Sequence, residues 1–382
     1  MFKGMKVVDC HIHYSMNITP DEMINLMDYC DTDIANMVIV PDKKKLSAIC
    51  DGLMLKDKYP ERIYVFASLD AFSYFSKKKT LGKAMVKHTL RMRKAGCDGI
   101  KMIEGKPEIR KLFNLPPFDD AVWEEYFAFM ENTAFPILWH VNDPEEFWDR
   151  KEIPDWAMKR GWYYNDTFVN NQDQYKEIEN VLLKYPNLKI IFAHFFFLSK
   201  DLDRLANILD KHPNVFVDLT PGIEMYINFT ANRKKTLEFF EKYQDRIMYG
   251  TDIGTQSILE GGKLNIESEK NRADLVKRFL SAKEEFTVTE TTSYLMHDED
   301  FVLKPLDLKN EILKKILGEN YLNFMGHKPY KVDTRIALDE IRRSRIKLAF
   351  MRVVDRKTQF DFNSFKILKK YFKNQGVKNG EN

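Results

Sequence analysis

Two histidines separated by one residue, His11 and His13, end the first apolar segment of the chain, and this spacing could hold a metal ion. Side chains two positions apart in a β-strand point to the same face, so both imidazoles are predicted to face one side. Three later apolar segments also end in a metal-binding type of side chain, namely His140, His194 and Asp252. If these segments are parallel strands, their carboxyl ends meet and the side chains converge on one site.

The residue types in this set indicate which chemistry the site could perform. Imidazole and carboxylate ligands suit zinc, with manganese, iron or nickel as alternatives. Three or four protein ligands with one open coordination position are typical of a catalytic metal site. A water bound there has its pKa lowered toward about 7, so hydroxide forms at neutral pH. We therefore expect one divalent metal per chain, with Zn²⁺ as the first choice.

The order of predicted elements explains how these residues could meet. Short β-like segments alternate with longer segments of helical period, which is typical of βαβ units around a parallel sheet. There are eight candidate strands, the number that closes a barrel, and the predicted fold is an α/β (β/α)₈ TIM barrel. The candidates are Val7–His13, Met37–Val40, Ile63–Ser68, Gly99–Ile103, Pro136–His140, Leu188–His194, Val215–Leu219 and Arg246–Asp252.

Helix boundaries can be predicted at several points. Thr19 and Glu22 have the spacing of a capping box, which predicts a helix over Pro20–Tyr29. Gly96 is a predicted C-cap for a helix over Leu81–Lys94. A further helix over Glu311–Met325 is expected to complete the ring of helices.

The charge is distributed unevenly along the 382 residues. The formal net charge is only +3, which implies no overall attraction to nucleic acid. Residues 331–382 nevertheless carry 14 Lys/Arg against 6 Asp/Glu, a net charge of +8. We therefore predict a metal-dependent barrel domain over 1–329 and a basic, helical C-terminal extension over 330–382, packed on the barrel or at a subunit interface.

Cysteines and apolar segments indicate the compartment. The four cysteines form no Cys-x-x-Cys pair and are too few for a disulfide framework, which favours a reducing environment. The chain enters a predicted strand within its first residues, so no signal peptide is expected, and no apolar segment reaches the ~20 residues that span a bilayer. We expect a cytoplasmic protein without membrane contact that acts on a small molecule. A homo-oligomer is an open alternative.

A long loop is predicted after His140, extending to about Gln174. Loops of this length are usually functional or disordered, and a high aromatic content argues against disorder. We interpret the loop as a lid or pocket wall, with packing onto a neighbouring loop or subunit as the alternative. Its aromatic residues are Phe147, Trp148, Trp156, Trp162, Tyr163 and Tyr164.

The segments that carry the five site residues resemble the amidohydrolase superfamily, and in particular the amidohydrolase-related group that includes aminocarboxymuconate semialdehyde decarboxylase and pyrone-dicarboxylate lactonase. The resemblance covers roughly residues 5 to 326. The His-x-His pattern alone is weak, but the ordered set is specific. The segments are Asp9–His13, Gly99–Lys101, Trp139–Asp143, Ala193-His194, Tyr249–Asp252 and the closing helix around Ile316–Asn320.

The resemblance implies roles for these residues. His11, His13 and His140 are expected to bind the metal. Asp252 is expected to bind the metal or its water and to carry the proton from that water to the leaving group. His194 is expected either to join the metal or to polarise the substrate. The implied activity is hydrolysis of a C–N (amide) or ester/lactone bond of a small, possibly anionic substrate; the alternative is a decarboxylase or hydratase of the same superfamily.

Four further residues are candidate substrate contacts: Lys101, Glu104, Asn142 and Trp148. In some superfamily branches a strand-four lysine is carboxylated and bridges two metals. Lys101 could therefore be a carbamate bridge, a substrate contact or a structural residue, and Glu104 could be its partner. Asn142 follows His140 and has turn chemistry as its simpler interpretation.

Two other classes of protein remain open. A phosphoesterase of the polymerase-and-histidinol-phosphatase type also shows His-x-His followed by a Thr-Pro-acidic turn, which Thr19-Pro20-Asp21 resembles. That class needs an Asp-His pair after its second strand, and Met37–Asp42 lacks the histidine. A non-catalytic protein could use the aromatic and basic residues of the tail on nucleic acid. The same mixture suits a helix packed on the barrel, so we do not expect nucleic acid as a partner.

Overall fold

Eight parallel strands form a nearly closed barrel in a computed structural model that describes residues 2, 4–42, 44–76, 78–254, 264–288 and 300–378. The strands lie side by side in chain order from the first to the eighth. The first strand also meets the segment around the eighth, because Cys10 N–H donates to Tyr249 O and His13 N–H donates to Ile253 O, both at 2.9 Å. The predicted (β/α)₈ TIM barrel is confirmed.

The strand bounds differ from the predicted ones mainly at the ends. The second strand begins earlier than predicted, at Ile34. The sixth strand ends before His194 and the eighth ends before Asp252, so these two side chains lie on the turns that follow. The strands are β1 Val8–His13, β2 Ile34–Val38, β3 Ile63–Ser68, β4 Gly99–Gly105, β5 Ile137–Val141, β6 Ile190–Phe192, β7 Val215–Asp218 and β8 Ile247–Met248.

Helices cover the outside of the barrel and extend beyond it. In the described part of the chain they are α1 Pro20–Tyr29, α2 Ile49–Lys58, α3 Ala71–Ser76, α4 Leu81–Ala95, α5 Pro107–Phe113, α6 Glu124–Thr133, α7 Asp155–Lys159, α8 Asn171–Lys184, α9 Leu202–Lys211, α10 Ile223–Ala231, α11 Arg233–Lys242, α12 Ile266–Ser281, α13 Asn310–Lys314, α14 Asn320–Met325, α15 Thr334–Val354 and α16 Asn363–Lys378. A short antiparallel pair, β9 Phe286–Val288 and β10 Phe301–Leu303, lies between α12 and α13.

Local sequence signals set several helix ends as predicted. Thr19 and Glu22 form the capping box of α1, and Gly96 ends α4 with a φ of 102°. The predicted closing helix consists of α13, a π-helical turn and α14. Gly318 lies in that turn, where a Cβ atom would approach Lys6 O to 2.2 Å, so only glycine lets the helix close under the barrel.

The hydrophobic core has an outer layer between strands and helices and an inner layer inside the barrel. The inner layer is closed at the amino-terminal end of the strands by side chains of α14. The opposite end, where the strands terminate, is the barrel mouth, and there the polar site residues replace the apolar filling. The inner layer includes Val8, Cys10, Tyr64, Phe66, Leu138, Ile191 and Met248, with Tyr321, Phe324 and Met325 from α14.

The C-terminal extension, residues 330–382, contributes α15 and α16. Helix α15 contacts α2 and α4, and α16 contacts α2, so both pack on the barrel's outer helices. Lys347 also forms an ion pair with Asp70, in the loop after β3, at 2.9 Å. None of the described helices is long and apolar enough to cross a membrane.

Candidate active site

An irregularity in β1 places both of its histidines at the barrel mouth. Asp9 pairs with Ala35 and Ile12 pairs with Met37, so β1 carries one residue more than β2 over this stretch. Such a bulge changes the alternation of side chains. The Cys10 side chain therefore belongs to the inner core layer, and the next side chain, His11, also faces the interior. The His11 and His13 ring centroids lie 5.3 Å apart.

His11, His13 and Asp252 form a compact group of potential metal ligands. One ligand atom from each lies within 4.8 Å of the other two, and all three side chains are buried. His13 Nε2 is 2.9 Å and His11 Nε2 is 3.7 Å from Asp252 Oδ1. The buried His13 Nδ1 has no hydrogen-bond partner within the described residues. Two imidazoles and a carboxylate at this spacing fit a divalent transition metal.

Asp252 is held by its backbone and by Arg272. The residue has a φ of 61°, and its N–H donates to His11 O at 2.8 Å, which aims the carboxylate at the histidines. Arg272 donates to Asp252 Oδ2 at 3.3 Å. Burial favours the neutral carboxyl, but the Arg272 guanidinium and His13 outweigh it and hold the pKa of Asp252 well below its ordinary value. Asp252 is therefore an anion suited to binding a cation.

Asp218 orients His11 from behind. His11 Nδ1 lies 2.8 Å from Asp218 Oδ2, and Thr220 Oγ1 lies 3.1 Å from the same nitrogen. Asp218 is buried and is the last residue of β7. Burial raises the pKa of Asp218, and burial together with Lys101 lowers the pKa of His11 well below its ordinary value.

His194 lies on a left-handed turn that follows β6. His194, Phe195, Phe196 and Phe197 have φ values of 55°, 55°, 58° and 53°, a conformation that costs an L-residue roughly 1–2 kcal/mol each. The turn stacks Phe197 on the His194 ring at 5.0 Å and brings that ring to 5.6 Å from His11. Burial and the neighbouring His140 lower the pKa of His194 well below its ordinary value. His194 is therefore neutral and can donate or accept a hydrogen bond.

His140 lies at the barrel mouth beside this compact group. Its ring centroid is 4.8 Å from that of His194, but its Nε2 is 3.2 Å from Asp143 Oδ1. Asp143 also accepts hydrogen bonds from Lys106 and from the Tyr164 hydroxyl. The structure thus brings all five predicted residues to one end of the barrel, with His11, His13 and Asp252 as the group whose ligand atoms converge.

Lys101 and Glu104 are both buried on β4. Lys101 Nζ is 3.0 Å from His11 Nε2, and burial lowers the pKa of Lys101 to about 8. Glu104 accepts a hydrogen bond from the Tyr74 hydroxyl, and burial raises its pKa to about 7. Lys101 therefore contacts His11, one of the three potential metal ligands, whereas Glu104 is hydrogen-bonded to Tyr74 on α3.

The side chains of Asn142 and Trp148 form hydrogen bonds in and around the loop after β5. The Asn142 amide donates to Asn171 O at 3.2 Å and accepts from Gln174 at 2.9 Å. Trp148 Nε1 donates to Val169 O at 3.0 Å, and its ring packs on Tyr164 at 4.8 Å. Both side chains hold the loop in place in this structure.

Residues 142–170, which we call the aromatic loop, form a small hydrophobic cluster of their own. Phe147, Ile153, Ala157 and Tyr164 are buried in it. The cluster is connected to the barrel mouth because Lys106 lies over the Trp162 ring at 4.2 Å and donates to Asp143 at 2.6 Å. The loop is therefore an ordered structure beside the site.

Three residues that contact the site were missed as such in the sequence. Arg272 lies on α12, and no local pattern connects it to Asp252. Thr220 follows β7 and resembles any turn threonine. Asp143 follows His140 within a turn sequence, and its position three residues after a candidate ligand was a signal for an orienting role.

A parallel barrel with buried histidines and a carboxylate at the carboxyl ends of its strands defines a class of barrel enzymes. The sequence model of the amidohydrolase family matches residues 90–320, more than half of the chain, and the protein belongs to that family. The match includes His140, His194 and Asp252 and begins after the His11–His13 pair. None of the curated proteins matches the sequence.

Solved structures share the fold at low sequence identity. An uncharacterised TIM-barrel protein from Bordetella bronchiseptica has a TM-score of 0.52 and 13% identity, with 85% of this chain and 100% of that chain covered. A 5-carboxyvanillate decarboxylase from Sphingomonas paucimobilis has a TM-score of 0.51 and 8% identity, with 85% and 99% covered. A 2,6-dihydroxybenzoate decarboxylase from Rhizobium has a TM-score of 0.50 and 12% identity, with 84% and 99% covered. At these identities the likeness concerns the fold.

Proposed function

We propose that this protein is a metal-dependent hydrolase that cleaves a C–N (amide) or ester/lactone bond in a small, anionic substrate. The observation that carries the proposal is the convergence of His11, His13 and Asp252, whose ligand atoms lie within 4.8 Å of one another at the barrel mouth. Asp252 lies more than 200 positions after the two histidines in the chain, and burying the three side chains together has a free-energy cost that a bound cation offsets.

The residues present would hold one divalent ion, Zn²⁺ by preference. His11, His13 and Asp252 are the proposed ligands, and His140 is proposed as a further ligand because its ring lies at the same barrel mouth. When bound, such an ion supplies Lewis-acid activation of a water molecule. Asp218 keeps the Nδ1 of His11 occupied, so that Nε2 faces the proposed ion.

The proposed proton carrier is Asp252. Arg272 and His13 stabilise its carboxylate, so it can accept a proton from the attacking water and then deliver that proton to the leaving nitrogen or oxygen. Arg272 keeps the carboxylate in place during both steps. The exchange needs no second acid, because the same oxygen gains and loses the proton.

The substrate is proposed to be anionic because a buried cation, Lys101, lies beside the proposed metal ligands. Lys101 lies 3.0 Å from His11 and can bind a substrate carboxylate or carbonyl oxygen. His194, on its left-handed turn, is proposed to polarise the scissile carbonyl. Glu104, Asn142 and Trp148 remain proposed substrate contacts, and the aromatic loop is proposed to exclude water from the bound substrate.

A decarboxylase is the second candidate, and Lys101 is the observation that favours it. A buried ammonium beside the proposed metal ligands is suited to a carboxylate-bearing substrate, and two decarboxylases share the fold. The same ligands serve both reactions, so the two candidates differ in the bond that breaks.

The test is to measure metal content and reaction products together. Elemental analysis of purified protein is expected to give about one metal per chain, since the site offers one group of ligands. The protein is then incubated with a panel of lactones, amides and hydroxybenzoates. Formation of the carboxylic acid product and release of CO₂ are measured for each compound. Acid without CO₂ supports the hydrolase, CO₂ supports the decarboxylase, and a metal-free protein that turns over neither class contradicts both.

Variants connect the activity to the site. His11→Ala and Asp252→Asn are expected to abolish turnover while the far-UV circular dichroism spectrum is unchanged. Asp245→Asn is the matched control, because Asp245 is an exposed carboxylate that pairs with Lys315 away from the barrel mouth. Full activity in both site variants would rule out the proposed mechanism.

A further inference from the structure

The outer face of α15 carries a row of exposed apolar side chains toward the end of that helix. They recur at the spacing of one helical face, the pattern that normally belongs to a face covered by a partner. The opposite face holds the buried residues Ile341, Ser344 and Leu348, and the helix contacts α2 and α4. Helix α15 is therefore apolar on a second face that is open to solvent. The exposed residues are Ile346, Phe350, Val353 and Val354.

Helix α3, in the segment after β3, extends this apolar surface. The Phe350 ring meets the Phe72 ring edge-on, with 5.9 Å between the centroids. Phe75 lies one helical turn after Phe72 and is exposed. The apolar side chains of α15 and α3 therefore form one surface, which we call the apolar ridge. Its exposed members are Phe75, Ile346, Phe350, Val353 and Val354.

The degree of exposure shows the shape of the apolar ridge. Each of its five side chains is between 57% and 70% exposed. Walls would shield a large side chain inside a groove, so side chains exposed to this degree protrude from the surface. Exposed apolar patches that are rimmed by polar residues are typical of surfaces that bind a protein or a membrane. The apolar ridge therefore fits a partner that is flat or deformable.

Basic side chains lie next to both parts of the apolar ridge. Two lysines follow Phe75 by one turn, and the segment 342–357 has seven Lys/Arg against one acidic residue, Asp355. The Asp355 carboxylate already accepts hydrogen bonds from the residues that follow it. A negatively charged partner therefore complements this surface. The exposed cations that form no ion pair with any residue the structure describes are Lys78, Lys79, Arg352, Arg356 and Lys357.

We propose that the apolar ridge docks the protein on an anionic lipid surface, with its side chains among the headgroups and the neighbouring cations on the lipid phosphates. A second copy of the chain fits less well, because it would bring the same basic residues against these. An acidic helix needs a groove to lie in, whereas these side chains protrude. The expectation of no membrane contact came from the lack of a spanning segment and does not bear on a surface contact. This docking is independent of the proposed enzymatic function.

The test is co-sedimentation of the full chain with lipid vesicles. Vesicles of phosphatidylglycerol mixed with phosphatidylcholine are expected to bind the protein, and binding is expected to weaken as salt is added, because salt screens the exposed charges. Vesicles of phosphatidylcholine alone, which carry no net charge, are expected not to bind measurably. Equal binding to the two kinds of vesicle, or binding to neither, would overturn the proposal.

Two exposed apolar residues provide a matched pair of variants. Phe350 belongs to the apolar ridge, whereas Leu183 is 68% exposed on α8, between β5 and β6. Phe350→Asp is expected to weaken vesicle binding about tenfold or more, because an inserted aromatic side chain is lost. Leu183→Asp is expected to leave the affinity within about twofold. Both positions are exposed, so the circular dichroism spectrum should be unchanged. Equal losses in the two variants would overturn the assignment of the surface.

Two exposed lysines test the charge in the same way. Lys79→Glu is expected to weaken vesicle binding about fivefold or more, the factor that one cation near an anionic surface contributes. Lys234→Glu, on an exposed position of α11, is expected to stay within about twofold. Sedimentation velocity and titration with an acidic peptide are run in parallel. If Phe350→Asp dissociates a dimer or abolishes peptide binding but leaves vesicle binding unchanged, the apolar ridge serves that partner and the proposal is wrong.

Discussion

His11 Nδ1 lies 2.8 Å from Asp218 Oδ2 in the closed interior of the barrel, although the two residues are 207 positions apart in the chain. The other oxygen of the same carboxylate accepts the backbone N–H of His194 at 2.8 Å. One aspartate at the end of β7 therefore fixes both the ring of one site histidine and the backbone of another. The orientation of the site depends on this residue, which is not itself a proposed ligand.

Asp218→Asn tests this dependence. The amide keeps the size of the side chain but loses the charge that holds the His11 Nδ1–H, so metal affinity is expected to fall about 10–100-fold. Competition with a metal-binding dye measures the affinity. Asp245→Asn, at an exposed position, is expected to match the wild type. An unchanged affinity in Asp218→Asn would show that this contact does not orient a ligand.

The buried carboxyl group of Glu104 is expected to make the stability of the protein depend on pH. Burial raises the pKa of Glu104 from its ordinary value of 4.5 to about 7 in the folded protein. Between these values the folded chain holds a proton that the unfolded chain releases, so this contribution is complete below pH 4.5 and is lost as the pH rises through about 7. Glu104→Gln is expected to lose less stability than the wild type between about pH 5 and pH 8.

Urea unfolding at about pH 5 and at about pH 8 gives the free energy of unfolding at the two ends of this range. Glu125→Gln, on an exposed position of α6, is the control and should retain the wild-type pH dependence. The buried Asp9 has a pKa raised in the same direction and is present in all three proteins, so it cancels in the comparison. An identical pH dependence in Glu104→Gln and the wild type would show that Glu104 titrates normally.

Tyr164 is expected to control the order of the aromatic loop. Its hydroxyl donates to Asp143, which also binds His140 and Lys106, and its ring contacts Trp148 and Phe168. Tyr164→Phe keeps the ring and removes the hydrogen bond, so amide hydrogen exchange across residues 142–170 is expected to become faster. Tyr163→Phe is the adjacent control, since the Tyr163 ring packs against the same cluster. Similar exchange in both variants would contradict the role of the hydroxyl.

Lys347 joins the C-terminal extension to the loop after β3. Its ammonium binds both oxygens of Asp70 at 2.9 Å, and both side chains are largely shielded from solvent. Lys347→Ala is expected to lower the free energy of unfolding by about 1 kcal/mol, the upper part of the range for such pairs. A double-mutant cycle with Asp70→Asn separates the pair energy from the loss of side-chain packing. A coupling energy of zero would mean that this ion pair does not help to hold the extension on the barrel.

The sequence predicted the barrel because its short apolar segments and its helix signals are local. The capping box at Thr19 and the C-cap at Gly96 needed no tertiary information. Strand length was harder, since β6 and β8 are only short apolar segments and the chain turns before His194 and Asp252. Those two side chains reach the site from turns, where simple alternation along a strand no longer predicts direction.

The contacts that orient the site depend on distant packing. The bulge in β1 is a property of its pairing with β2, so the His11–Ile12–His13 sequence alone does not contain it. Arg272 reaches Asp252 from α12, and Lys101 reaches His11 from β4, three strands away from β1. Residue type and spacing identified the candidate ligands, whereas their partners required the closed barrel.

The left-handed turn after β6 limits how this arrangement could be moved to another protein. Four successive L-residues keep this conformation because Phe196 stacks on Phe192 at 3.9 Å, Phe195 packs on Phe229 at 4.9 Å, and the Tyr175 hydroxyl donates to Phe196 O. If only His194 were grafted onto a different scaffold, the segment would be expected to return to a right-handed or extended backbone, and the imidazole would then point in another direction. The transferable unit is the histidine together with its aromatic supports.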